Sequence, residues 1–485
     1  MREEKFTAAG LEEATIAELQ AAMELGQLTA RRLVMLYLER IASYDKAGPM
    51  LNSVLEINPE ALQIAEALDY ERRDRGPRGP LHGIPILLKD NLDTGDKMHT
   101  SAGSLALADS YARTDSFVAA QLRKAGAIIL AKANMTEWAN FMTRNMPNGF
   151  SSRGGQVLNP YGPGRFDVGG SSSGSGAAIA ANLAVASIGT ETSGSILSPA
   201  SANSVVGIKP TVGLVSRSGI IPIACSQDTA GPLARTVRDA ALVLTAIAGV
   251  DEQDPATTAN QGARDYAQFL DKDGLRGARI GLPRSPYYDR LGEARLAIME
   301  QAIADLRAAG AEVIDPISFP AAGERFDINV MLYEFKPCLN AYLRQVAPHV
   351  PVRSLREVIE FNLAHAQQTL RYGQTILLSA EEKSGTLTEP EYLEARLRDL
   401  RLSQDQGIDH ALREYQLDAL LFPGNWGAGL AARAGYPSIC VPGGYTAEGQ
   451  PLGVTFTSTA YSEPTLLRLA YAYEQATLRR RPPTL

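Results

Sequence analysis

Gly169-Gly170-Ser171-Ser172-Ser173-Gly174-Ser175-Gly176 runs straight into the apolar residues 177–181, as if a glycine-rich loop opened onto a helix. Such a loop aims backbone N–H groups outward and suits an anion, but the Lys-Ser/Thr pair of a phosphate-binding loop is absent and no GxGxxG follows a strand. The same stretch holds a formal GxSxG nucleophile elbow centred on Ser172. An elbow needs an apolar strand just before it, and Arg165-Phe166-Asp167-Val168 is a poor one. By itself the run also fits a linker or a tight helix start. What turns the reading toward chemistry is Gly189-Thr190-Glu191-Thr192-Ser193-Gly194-Ser195-Ile196, followed by Pro199. A serine presented among small residues leaves room for a substrate carbonyl and several exposed amides, which suits acyl transfer. With Lys89 at the end of an apolar run, the chain offers two serines and a lysine, and no histidine in a context that marks it as a base.

The five histidines form no HExxH or other close pair, so a zinc site built from them has little support. Cys225, Cys338 and Cys440 are an odd number without CxxC spacing. They argue against a disulfide framework and a thiolate metal site, and point to a reducing compartment.

Elements that could position these groups follow from periodicity and turn chemistry. Ile84-Pro85-Ile86-Leu87-Leu88, after the turn Pro80-Leu81-His82-Gly83, predicts a buried strand ending in Lys89-Asp90-Asn91. A helix over 115–124 leads into the strand-like Ala127-Ile128-Ile129-Leu130, and strands return at 419–422 and 452–456. Strands alternating with helices predict an α/β protein with a largely parallel, helix-covered sheet. Thr15-Ile16-Ala17-Glu18 is a capping box, and Thr29 caps a second helix. From about 254 to 415 the chain is charged and helix-like, an elaboration within one domain.

With 485 residues, 45% hydrophobic and 21% charged, the chain is an ordinary globular one. Lys+Arg 47 against Asp+Glu 54 gives a net charge of −7, which offers no footprint for nucleic acid. No run of about 18 apolar residues and no secretory signal in residues 1–6 is visible, so no membrane and a cytoplasmic location are expected.

Gly83-Ile84-Pro85 leading to Lys89-Asp90-Asn91, the Gly169–Gly174 loop, Gly194-Ser195-Ile196 and Gly207-Ile208-Lys209-Pro210-Thr211 resemble the amidase signature family in order and spacing, Ser171 and Ser195 standing 24 residues apart. Further blocks at 100–107 (TSAGSLAL), 137–141 (EWANF), 210–223, 226–232 (SQDTAGP), 331–336 (MLYEFK) and 470–475 (AYAYEQ) look most like the bacterial peptide amidases of that family. Ser193 departs from the acidic residue of that subgroup, and 423–436 is shorter than its loop.

The resemblance implies one large domain over 1–485 with a mostly parallel, mixed twisted sheet covered on both faces and a catalytic core over 65–240. It implies Ser195 as nucleophile, Ser171 as a bridging serine after a cis peptide, and Lys89 as a neutral base. The amides of Thr192, Ser193, Gly194 and Ser195 would form the oxyanion hole. Ser172 and Asp228 would support the loops, Asp228 by hydrogen bonds, while Trp138, Asn140 and Phe141 are candidates for lining the substrate, the two aromatics being more often core. No metal or organic cofactor is required. The implied activity is hydrolysis of peptide C-terminal amides or small aryl and aliphatic amides by a monomer or homodimer. The alternative is the glutamine-hydrolysing subunit of a tRNA-dependent amidotransferase.

Overall fold

The computed structural model describes residues 9–485 except Arg325. The opening segment 1–6, read above for a secretory signal, lies outside the described residues. The strands are β1 (Val54–Ile57), β2 (Pro85–Lys89), β3 (Ile128–Ala133), β4 (Phe150–Ser151), β5 (Gly155–Gln156), β6 (Ala186–Glu191), β7 (Val206–Lys209), β8 (Thr229–Ala234), β9 (Arg279–Gly281), β10 (Glu312–Ile314), β11 (Ala419–Pro423), β12 (Ser438–Tyr445) and β13 (Pro451–Thr457). β4 and β5 pair with each other, and the rest form one sheet in the order β1-β3-β2-β6-β8-β7-β12-β13-β11-β9-β10.

The α/β class and the mixed sheet are those expected, with one correction. Among the described residues six neighbouring pairs are antiparallel and four, β2 with β3 and β6 and β9 with β10 and β11, are parallel. The strand–helix alternation that predicts parallel pairing holds around β2, β3 and β6. From β6 through β8, β7, β12 and β13 to β11 the pairs are antiparallel, helped by returns such as the five-residue connection between β12 and β13, a link so short that it joins only antiparallel strands. Parallel pairing resumes at β9 and β10.

Every residue of β2, β3 and β6 is buried, as the continuous apolar runs require for strands covered on both faces. Ser173–Ala180 packs against β2, β3, β6 and β8, and Glu463–Thr477 against β12 and β13. The Ile16–Glu24 helix starts with a reciprocal cap, Glu18 N–H donating to Thr15 Oγ1 and Thr15 N–H to Glu18 Oε2, and Thr29 Oγ1 caps Ala30–Arg40. Residues 254–415 are rich in helix and also supply β9 and the edge strand β10. No helix among the described residues is long and apolar enough to cross a membrane.

One side-chain expectation is corrected. Cys225 and Cys338 form a disulfide across 113 residues of sequence, with Cα atoms 6.6 Å apart, and only Cys440 is a free thiol. The pairing arises because the loop before β8 lies against the helix Asn329–Leu343, a contact that cysteine spacing does not encode. It also removes the cysteine pattern as a reason to expect a reducing compartment. Trp138 and Phe141, candidates for lining the substrate and more often core, belong to a second hydrophobic core. They are 2% and 4% exposed, and the Phe141 ring meets Phe335 edge-on at 5.1 Å. The helical section covers them, so their aromatic surface is spent on packing.

Candidate active site

Lys89 closes β2 and Thr190 sits in the parallel neighbour β6, so both side chains reach the same end of the sheet. Lys89 is 0% exposed. Its Nζ lies 2.7 Å from Ser171 Oγ, 2.9 Å from Thr190 Oγ1 and 3.2 Å from Thr190 O. Burial pulls its ammonium down to about 7, against the opposing pull of Glu191 and Asp228. Asn91 Nδ2 donates to the same Thr190 hydroxyl at 3.0 Å and fixes it from the other side.

Ser171 follows a cis Gly170–Ser171 peptide, and its carbonyl accepts from Thr136 N–H at 3.1 Å. Two glycines allow the loop to lie this close to its neighbours. A Cβ on Gly170 would stand 2.6 Å from Asn148 Oδ1 and 2.7 Å from Thr136 Oγ1, and one on Gly174 would collide with the carbonyls of Ser53 and Asn134. Ser172 is fully buried, its Oγ donating to Thr190 O and accepting from Thr190 N–H while its own N–H donates to Ser195 O. A hydroxyl bound on both sides to a strand backbone is a brace, which disposes of the elbow reading centred on it.

Ser195, 8% exposed, is the member of the Lys89, Ser171 and Ser195 set that meets solvent. The turn presenting it is held by a residue that sequence reasoning missed. Glu191 is buried and accepts Gly194 N–H on Oε1 at 2.7 Å, and Ile196 and Leu197 N–H on Oε2 at 2.7 and 3.0 Å. The last two open the helix Leu197–Ala202, where an anion is favoured. A carboxylate a few residues before a helix start was the available signal. This bond corrects the expected oxyanion set: the Gly194 N–H is engaged inside the protein. The N–H groups of Thr192, Ser193 and Ser195 have no acceptor among the described residues. Gly194 itself has φ +87, a region that favours glycine.

Asp228 braces the same turn from outside, accepting from Thr192 Oγ1 at 2.5 Å and from Ile223 and Ala224 N–H at 2.8 and 3.0 Å. Burial pushes its carboxyl up to about 6. Asn140 is exposed and donates to Asn148, which donates to Asp167, the acceptor of Gly169 N–H, so it borders the loop carrying Ser171. It follows Trp138 and Ala139 in an unusual run of three positive-φ residues (48°, 54° and 68°).

A buried amine of lowered basicity, a hydroxyl in contact with it and a second serine in a turn with free amides are the parts of an acyl-transfer site without metal ligands or histidine. The profile of the amidase family matches residues 32–467. A probable amidase of Arabidopsis thaliana is 42% identical over 98% of this chain and 92% of its own length. The native peptide amidase of Stenotrophomonas maltophilia superposes with a TM-score of 0.91 at 48% identity, covering 97% of this chain and 98% of that one. A glutamyl-tRNA(Gln) amidotransferase subunit from a Synechococcus strain is 33% identical over 96% of this chain and 93% of its own length. The chain therefore belongs to the amidase family and is an amide-hydrolysing enzyme.

Proposed function

We propose that the enzyme hydrolyses peptide C-terminal carboxamides, together with small aryl or aliphatic amides, through Ser195, Ser171 and Lys89. The contact between Lys89 Nζ and Ser171 Oγ carries this reading. An uncharged amine has two N–H donors and one lone pair. Thr190 O and Thr190 Oγ1 take the donors, which turns the lone pair toward the Ser171 O–H. Burial favours that uncharged form.

As Ser195 Oγ bonds to the substrate carbonyl carbon, its proton passes to Ser171 Oγ and the Ser171 proton passes to Lys89 Nζ. The carbonyl oxygen becomes an oxyanion facing the amides of Thr192, Ser193 and Ser195. The C–N bond then breaks, and the proton returns from Lys89 through Ser171 to the departing nitrogen. Water attacks the acyl-serine by the same route, releasing the acid and restoring Ser195. Loss of one oxyanion donor typically slows such steps 10²–10³-fold, so the brace supplied by Glu191 matters as much as the free amides.

We further propose that the enzyme works without a partner protein or ATP. The identity of 48% to a peptide amidase against 33% to the amidotransferase component favours this, as does the absence of a strong positive balance. The test compares a peptide C-terminal amide, a neutral aryl amide, glutamine and misacylated tRNA at equal enzyme, reading ammonia or amine release as kcat/KM. Preference for the peptide amide is expected. Preference for glutamine with stimulation by ATP, tRNA and partner subunits would replace this reading by the amidotransferase one.

A further inference from the structure

We infer that the Cys225–Cys338 disulfide is a thiol-exchange site through which a dithiol reductant lowers the turnover of this amidase. The bond lies in the wall of a cleft of about 1100 Å³ that Asp228, Arg217 and Tyr342 also line. Cys225 is exposed and Cys338 partly so, and an attacking thiolate therefore has a path to sulfur. Arg113, Arg217, Arg344 and Arg353 line the same cleft. Asp93, Asp228 and Asp254 line it too, Asp254 paired with Arg217, so arginine exceeds carboxylate only slightly, and that excess favours the thiolate that departs in the exchange.

The consequence for catalysis follows from what Cys225 is attached to. Three residues on, Asp228 holds the Thr192 hydroxyl in the turn that presents Ser195, while the same carboxylate gathers the amides of Ile223 and Ala224. Gln227 Nε2 reaches Thr192 O at 3.5 Å. The loop is fastened to the helix Asn329–Leu343 by the disulfide and by Ser226 N–H donating to Glu334 Oε2 at 2.9 Å. Arg217, itself paired with Asp254, donates to the carbonyl of Cys225. Breaking the covalent fastening leaves the loop tied to that helix by Ser226–Glu334 and by Ile223 and Ala224, which share a hydrophobic core with Met331 and Phe335, so the Asp228 brace on Thr192 loses its one covalent restraint and gains freedom. Reacting groups displaced by small distances slow turnover more than they weaken binding.

The exchange balances with one dithiol. Its thiolate attacks one cysteine sulfur to give a mixed disulfide and expels the other cysteine as thiolate. Its second thiol then displaces the first cysteine and closes a cyclic disulfide. Two electrons pass to the protein, the dithiol is oxidised, and Cys225 and Cys338 each end as a thiol.

The experiment uses the purified full chain before and after dithiothreitol, with thiols counted under denaturing conditions and kcat and KM measured on one amide substrate. One thiol before and three after are expected, with kcat falling about three- to tenfold, KM nearly constant, and circular dichroism unchanged. Cys225→Ser/Cys338→Ser should match the reduced enzyme and ignore dithiothreitol, and reoxidation should restore only the wild type. Asp228→Asn should start slower and lose little more on reduction, since both changes release the same brace. Three thiols before reduction, an unchanged kcat in a fully reduced folded enzyme, or an equal response in the double serine variant would each overturn the inference.

Discussion

Replacing Lys89 by Met separates the energetics of a buried base from its catalytic use. The ammonium falls from its ordinary value near 10.5 to about 7 inside the protein. Between those values the unfolded chain binds a proton that the folded chain does not, so stability rises with pH across the window. The destabilisation is absent above pH 10.5 and, at about 1.36 kcal/mol per pH unit, reaches about 5 kcal/mol below pH 7. Met fills similar volume without the amine, but leaves Ser171 Oγ and the two Thr190 oxygens short of a partner, at about 1 kcal/mol each. The variant is therefore expected to be more stable than wild type by about 2 kcal/mol at pH 7. That advantage should shrink by about 2 kcal/mol between pH 7 and pH 9 as the wild type sheds its proton. Urea unfolding followed by circular dichroism at the two pH values measures it. In parallel, wild-type kcat/KM should fall about tenfold per pH unit below its acidic midpoint near 7, and Lys89→Met should lose nearly all activity. Stability curves that stay parallel between wild type and variant from pH 7 to 9 would refute the claim that Lys89 is buried uncharged.

Ser195→Ala is expected to stay folded and form no acyl-enzyme by mass spectrometry, whereas Ser171→Ala should retain a trace of turnover from the oxyanion donors and binding. Glu191→Gln keeps the volume but can accept on one oxygen only, leaving one side of the turn unbraced, so kcat should fall about 10²-fold with a smaller change in KM. Iodoacetamide without reductant should leave activity intact, because Cys225 and Cys338 are bonded and burial pushes the Cys440 thiol up to about 12. A mass increase at Cys440 in the native enzyme would contradict this.

What could be read from the sequence was what is encoded locally. The strand ending in Lys89, the caps at Thr15 and Thr29, and the glycine-serine loop leading into a helix all depend on neighbours within a few residues. The antiparallel part of the sheet was hidden because its joining pairs, β6 with β8 and above all β7 with β12, bring together strands far apart in the chain, which no local pattern encodes. The Cys225–Cys338 pairing and the burial of Trp138 behind the helical section have the same cause. Glu191 was overlooked for another reason. In sequence it is one polar residue among several in a serine-threonine run, and only the fold shows three backbone donors converging on it.

The tight seating of Gly170 and Gly174 separates recognisability from activity. These positions are fixed by volume, since any side chain there meets a carbonyl or side-chain oxygen already in place. Their pressure toward glycine would persist in a descendant that had exchanged Ser195 or Lys89 for an inert residue, because the packing would be untouched. Such a descendant would retain the glycine-rich hallmark of its ancestors and catalyse nothing. In the mechanism proposed above the Ser195 and Ser171 hydroxyls and the Lys89 amine carry the turnover, so their presence would distinguish a working enzyme from a silent relative built on the same frame.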